Sequence, residues 1–332
     1  MKAKALLLKA AVLLAPFIAP SLPTVAHTFV VVVRAEHSLG LRDGVFDQLL
    51  EGKLRALVSD DTAVIIAGDS RAEREVVPAI IEARTGWRTA NIGTTAGDLV
   101  TLSNALKRHG IPRAGRMLII STSLFQVNDG AIDSPYISTA CFLNMTAWER
   151  VRLYADRLGS PWSPLDFRFV EGQPAVITGA RLRDQGFVGI DKTLSLPLPK
   201  TLLNRHPWYR SVSLHGARWR VFGEALERLA ASGLRIYLFQ PPISPAWRAY
   251  TAGTFVDTAE REFSGMLGPA ASAYSNLRFL DFYSVPDARL GNDQFSDIQH
   301  LNRAGAEKFT GILMDRITED LRQHEDATLE TH

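Results

Sequence analysis

The run Thr62-Ala63-Val64-Ile65-Ile66-Ala67 carries no charge and does not alternate polar with apolar residues. A strand with one face in water alternates, whereas a strand covered on both faces does not; such a run belongs to a parallel sheet between two helical layers. Met117-Leu118-Ile119-Ile120 repeats the signal, Leu234-Arg235-Ile236-Tyr237-Leu238-Phe239 and Leu277 to Phe282 supply two more strands, and Thr89 to Ile92 a short one. Between them, apolar residues recur at helical spacing over Phe46 to Leu57, Ala72 to Thr85, Leu99 to Arg108, Trp219 to Ala231 and Arg303 to Leu321. Strands alternating with helices of this length demand right-handed crossovers and a parallel sheet with helices on both faces.

The rhythm breaks from about Gly130 to Ser213, a span rich in Pro, Gly and aromatics that includes Trp148, Trp162, Trp208 and Tyr209. We read it as an insertion after the third strand within one domain covering residues 35–322, followed by a polar tail over 323–332. The tryptophans suit either stacking on sugar rings or packing a small subdomain.

Residues 1–34 have a different character. Lys2, Lys4 and Lys9 precede a stretch from Ala10 to Val33 in which His27 is the sole ionisable side chain. It is longer than the roughly 20 residues that span a bilayer, although Pro16, Pro20 and Pro23 interrupt it. This is the pattern of a signal peptide, cleaved after Thr24-Val25-Ala26, or of a retained signal anchor. The anchor is the expectation, with the basic end cytoplasmic and the body of the protein on the periplasmic or extracellular side. A buried first strand at Phe29 to Val33 is the alternative.

The 37 basic and 35 acidic residues nearly cancel, so no long-range field points to nucleic acid as a partner. A single cysteine, Cys141, excludes an intrachain disulfide and a four-cysteine zinc site, and no neighbouring base marks it as a nucleophile. His109, His206 and His215 show no metal-ligand spacing.

Two short motifs carry chemistry. Gly68-Asp69-Ser70 follows the first buried strand directly and opens a helix. This is the carboxyl edge of the sheet, where open α/β folds place their sites, although Asp and Ser are also ordinary helix caps. Near the other end, Asp297-Ile298-Gln299-His300 precedes a helix with a capped start at Asn302. A carboxylate that close can orient a histidine and stabilise its imidazolium, as proton transfer from a serine requires; it can equally serve as a loop hydrogen bond.

Together these motifs resemble the SGNH (GDSL-like) hydrolases over roughly residues 60–320, outside the insertion. The resemblance implies a flavodoxin-like three-layer α/β/α fold with a five-stranded parallel sheet. It also implies Ser70 as nucleophile, His300 as general base, Asp297 as its partner, and neither metal nor cofactor. Asn91-Ile92-Gly93-Thr94-Thr95-Ala96-Gly97-Asp98 is similar to the block whose glycine N–H joins the Ser70 N–H in binding an oxyanion; Gly97 matches best, with one extra residue, and Gly93 is its rival. Where the family offers an asparagine after the third strand, this chain has Ser121-Thr122-Ser123, with Asn128 later, so either Ser123 or Asn128 stands as the third donor. Arg71 is a candidate for binding an anionic substrate group, or else a helix residue paired with a carboxylate such as Glu75. Gln240-Pro241-Pro242 either shapes the pocket wall or forms a rigid loop.

These departures resemble the periplasmic or membrane-anchored branch that transfers O-acyl groups to polysaccharides. The expected function is acyl transfer to, or removal from, an acylated carbohydrate or other ester. An exopolysaccharide-assembly or acyl-transfer membrane partner is expected with it. The alternatives are a catalytically silent domain that binds a glycan or partner, and a lipid or thioester hydrolase whose insertion forms an apolar lid.

Overall fold

A computed structural model describes residues 45–95, 97–130, 141, 144–149, 179–205 and 212–329. The N-terminal segment and Trp162, His206, Trp208 and Tyr209 lie outside the described residues.

Helix α1 spans Val45–Leu57 and leads into strand β1, Val64–Ala67. Helices α2 (Ser70–Glu75) and α3 (Pro78–Thr85) precede β2, Thr89–Asn91. Helix α4 (Leu99–His109) and β3 (Met117–Ser121) follow. Short helices α5 (Gly179–Leu182) and α6 (Leu202–Arg205) belong to the span read as an insertion. Helix α7 (Ala217–Ala230), β4 (Arg235–Gln240), α8 (Pro245–Thr251), α9 (Phe255–Ser272), β5 (Leu277–Asp281) and α10 (Arg303–Leu329) follow among the described residues.

The sheet is parallel throughout, in the order β2-β1-β3-β4-β5. This is the flavodoxin-like order, whose switch point falls beside the first strand. Pleating sends Ile65, Ala67, Leu118, Ile120, Ile236 and Leu238 into one apolar layer, shared with α1, α4, α7 and α9. The alternate residues Val64, Ile66, Met117, Ile119, Tyr237 and Phe239 enter the other, shared with α2, α3 and α10. The continuous apolar strands thus serve two cores at once.

The structure departs from the sequence expectation in three ways. The helix expected over Ala72 to Thr85 is two, because Pro78 cannot donate to the turn before it and holds Val77 extended at φ −94°, ψ 109°. Helices α8 and α9, between β4 and β5, have no counterpart in the sequence expectation; α8 is signalled by Ser244, whose side chain accepts from Trp247 N, with Pro245 following. The last helix also continues past Leu321 into the expected tail, as far as Leu329, through residues with no Gly or Pro to stop it.

The expected insertion has adjoining ends. Asn128 Oδ1 accepts from Gly130 N and Ser213 N, both at 2.9 Å, and Asp129 N donates to Ser213 O at 2.9 Å.

Candidate active site

Strand β1 leaves the sheet through Gly68, whose φ is +121°. A Cβ there would stand 2.4 Å from the Ser121 carbonyl oxygen on the neighbouring strand, so only glycine lets the chain turn so close to β3. Asp69 caps the helix that follows, its Oδ1 accepting from Arg71 N at 3.0 Å. The same carboxylate is buried, and it takes the Ser121 hydroxyl at 2.8 Å and the Arg71 guanidinium at 3.2 Å. Burial would raise the Asp69 pKa, but Arg71, the hydroxyls of Ser121 and Ser123 and the Arg71 N–H together hold it below the usual aspartate value. Ser70 is thereby delivered to the first turn of α2, where its N–H has no acceptor within the helix.

The histidine comes from a tight loop between β5 and α10. Phe295 and Leu301 form an isolated antiparallel bridge, and Ser296 N donates to His300 O at 2.8 Å. Asn302 closes the loop by capping α10, its Oδ1 accepting from Gly305 N at 2.9 Å. Inside the loop, Asp297 Oδ1 accepts from Gln299 N and His300 N at 2.9 Å each. His300 Nδ1 lies 2.9 Å from Asp297 Oδ2 and 3.1 Å from Oδ1, and its Nε2 lies 2.8 Å from Ser70 Oγ. Burial pushes the Asp297 carboxyl up, but the hydrogen bond and charge of His300 and the two backbone N–H groups outweigh it and hold the pKa at about 2. An ionised Asp297 fixes the Nδ1–H tautomer, which leaves the Nε2 lone pair facing the serine hydroxyl. The arrangement can take a proton from Ser70 and return it. The His300 side chain is 18% exposed and that of Asp297 48%, so the group opens to solvent on the carboxylate side.

The other candidate residues fall elsewhere. Gly97 N donates to Thr94 O at 2.9 Å, and Gly93 N to Asn91 Oδ1 at 2.9 Å, so both glycine N–H groups are committed within their loop. Ser123 is buried, with its hydroxyl on Asp69. The Asn128 carbonyl oxygen holds the ends of the inserted span together. Arg71 is buried in an ion pair with Asp69 at 3.2 Å, and the charge of buried Glu75 also acts on its guanidinium, so the geometry meets the paired-helix-residue alternative. Glu75 is itself buried; burial raises its pKa well above the usual value, and Oε1 accepts from Leu301 N at 3.4 Å, directly behind His300.

Gln240 lies buried beneath the site edge, where its amide donates to Glu260 Oε2 at 2.8 Å and accepts from Ser264 Oγ. Burial pushes the Cys141 thiol up to about 12, which removes it as a nucleophile. His109 lies 3.7 Å from Glu51 and His215 3.0 Å from Glu262. Among the described residues no three His, Cys, Asp or Glu side chains group as a metal site, and no helix is long and apolar enough to cross a membrane. Trp148, at the edge of the described inserted residues, is 74% exposed.

No family model and no curated protein matches this chain. Among solved structures it is similar to a candidate platelet activating factor from Streptococcus pneumonia, with 13% identity over 87% of this chain and 98% of that one and a TM-score of 0.41. It is also similar to a candidate acylhydrolase from Bacteroides fragilis, with 11% identity over 82% and 95% of the two chains and a TM-score of 0.39. Overlap at this level fixes neither an activity nor the role of any residue.

Proposed function

We propose that the chain is a serine acyl-ester enzyme of the SGNH (GDSL-like) type, with Ser70 as nucleophile, His300 as general base and Asp297 as the residue that orients it. The observation carrying this reading is the line from Ser70 Oγ through the imidazole to Asp297, at 2.8 and 2.9 Å, between residues 230 positions apart. Chance seldom aligns three such groups in the order that nucleophilic catalysis requires. Ser70 Oγ attacks the ester carbonyl carbon while its proton passes to His300 Nε2. The C–O bond to the leaving alkoxide then breaks as that proton is returned to it. An incoming hydroxyl gives its proton to the same Nε2 as it attacks the acyl carbon, the C–O bond to Ser70 Oγ breaks, and the proton passes from Nε2 to Oγ, restoring the free serine.

The finer reading is transfer of an O-acyl group, acetyl for choice, to a cell-surface or secreted polysaccharide, or its removal, outside the cytoplasm. It is supported by the basic and apolar character of residues 1–34 and by the aromatic content of the inserted span. Labelling with a fluorophosphonate tests the chemistry: Ser70 is expected to be modified, and Ser70→Ala to abolish the signal. Folded wild-type protein that never labels overturns the reading. Release of acetate from a chromogenic ester, diverted by added oligosaccharide, supports transfer over hydrolysis. N-terminal sequencing of the membrane and soluble fractions decides between anchor and signal peptide.

A second reading, an SGNH-like domain that binds an acylated glycan or an assembly partner without turning it over, is favoured by one observation. The Gly97 N–H is bound to Thr94 O rather than free, and the loss of one oxyanion donor removes roughly 3 to 4 kcal/mol of transition-state stabilisation.

A further inference from the structure

Lys53 is fully buried, with 0% of its surface exposed, and its amino group is paired with the buried Glu73 carboxylate. It sits on the apolar stripe of α1, between Leu50 and Leu54, which are themselves core residues. All three of its N–H bonds are directed at acceptors: Glu73 Oε1 at 2.9 Å, Gly93 O at 2.7 Å and Gly186 O at 3.0 Å. An ammonium has three donors and no more, so the group is saturated. Burial pushes its pKa below the usual lysine value, and the charge and hydrogen bond of Glu73 pull the other way. Arg181 faces the same Glu73 oxygen at 3.6 Å.

The acceptors belong to three different parts of the site. Glu73 lies on the nucleophile helix, three residues from Ser70. Gly93 lies in the loop that follows β2, packed so tightly on that helix that a Cβ would stand 2.6 Å from Glu73 N. Gly186 opens a strap that returns from the inserted span; its φ is +93°, and a Cβ there would stand 2.0 Å from Asn91 O. The strap then runs past both halves of the triad. Val188 N donates to Glu73 O at 2.9 Å, Arg303 N to Ile190 O at 2.8 Å and Leu194 N to Phe295 O at 2.7 Å.

We propose that Lys53 is a positioning residue for Ser70, holding the nucleophile helix, the loop at Gly93 and the strap from Gly186 to Leu194 in one fixed arrangement. It touches no substrate. It acts through Glu73, the Gly93 carbonyl and the Gly186 carbonyl, and so sets where the glycine loop and the strap lie beside the serine. The inference rests on the serine-enzyme reading for its kinetic consequence only, because the positioning has its own readout.

The test compares wild type, Lys53→Met and the double variant Lys53→Met with Glu73→Leu. The single variant leaves a carboxylate buried without its ammonium and is expected to lower the melting temperature. The double variant removes both charges and is expected to recover most of that loss, but it leaves the Gly93 and Gly186 carbonyls without a donor. Its fluorophosphonate labelling rate is therefore expected to stay about 100-fold below wild type, the scale on which a small misplacement acts. Amide exchange in the double variant is expected to quicken at residues 92–95 and 186–188 while β1 and β3 keep wild-type protection. A double variant that labels at the wild-type rate, or whose two loops exchange as slowly as in wild type, overturns the proposal. Wild type that fails to label overturns the enzyme reading instead, and the exchange comparison still decides the role of Lys53.

Discussion

At the scale of single residues, Asp297 is held by groups that the sequence places beside it. Its pKa of about 2 lies below the ordinary value of 3.8, so its contribution to stability is fully present above pH 3.8 and drains as pH falls through about 2. The urea midpoint of wild type minus that of Asp297→Asn is expected to shrink as pH falls below 3.8 and through about 2. Curves that stay parallel down to the lowest pH would show that folding does not depend on the carboxylate. At neutral pH the same variant is expected to lose roughly 10⁴ in acylation rate, because an amide no longer selects the Nδ1–H tautomer. Asp297 and His300 were legible because they are three positions apart and share a loop. Arg71 was misleading for the opposite reason. A charged residue beside a nucleophile invites a ligand, and nothing local reveals that Asp69 is buried beneath the Ser121 and Ser123 hydroxyls and holds the guanidinium against itself. Lys53 did leave a trace, since Leu50, Lys53, Leu54 and Leu57 share one helical stripe, and a lysine in that row needs buried partners.

At the scale of elements, the sheet was readable because uninterrupted apolar strands have few other uses. The site edge was readable because Gly68 and Ser70 follow β1 without a spacer. Features fixed by distant contacts are not legible in the sequence: the strap from Gly186, the packing of Gly93 against Glu73, and the role of Asn128. The sequence offers that asparagine as a candidate oxyanion donor, yet its carbonyl oxygen accepts two backbone N–H groups from opposite ends of the span read as an insertion. Asn128→Ala leaves Gly130 N and Ser213 N, the donors of two half-buried hydrogen bonds, without their acceptor and is expected to cost about 1 to 3 kcal/mol. Urea denaturation measures the loss, and amide exchange at Gly130 and Ser213 should quicken first. A loss below about 1 kcal/mol would mean that water replaces the side chain at little cost.

At the scale of the whole molecule, the two halves of the triad come from the first strand and from beyond the last, so Ser70 meets His300 only when the sheet and α10 are both in place. The join is dense. Thr310 Oγ1 on α10 donates to Glu75 O at 3.2 Å and accepts from Val77 N at 2.9 Å, and Arg84 pairs with Asp315 at 2.6 Å. Phe309, Ile312, Leu313 and Ile317 of α10 share a core with Ala72, Val76 and Ile81 of α2, α3 and the link between them. Separating serine from histidine therefore means exposing that core, which is close to unfolding the domain. The rate of Ser70 labelling and the far-ultraviolet circular dichroism are accordingly expected to fall at one common urea midpoint. The exposed side of Asp297 and the strap offer the one route by which this could fail, since a loop can open before a sheet melts. Loss of labelling at a urea concentration lower by more than about 0.5 M would show that the histidine loop opens as a unit of its own. In that case the residues binding the strap to the loop, Phe295 and Arg303, rather than the α10 core, would set the stability of the site.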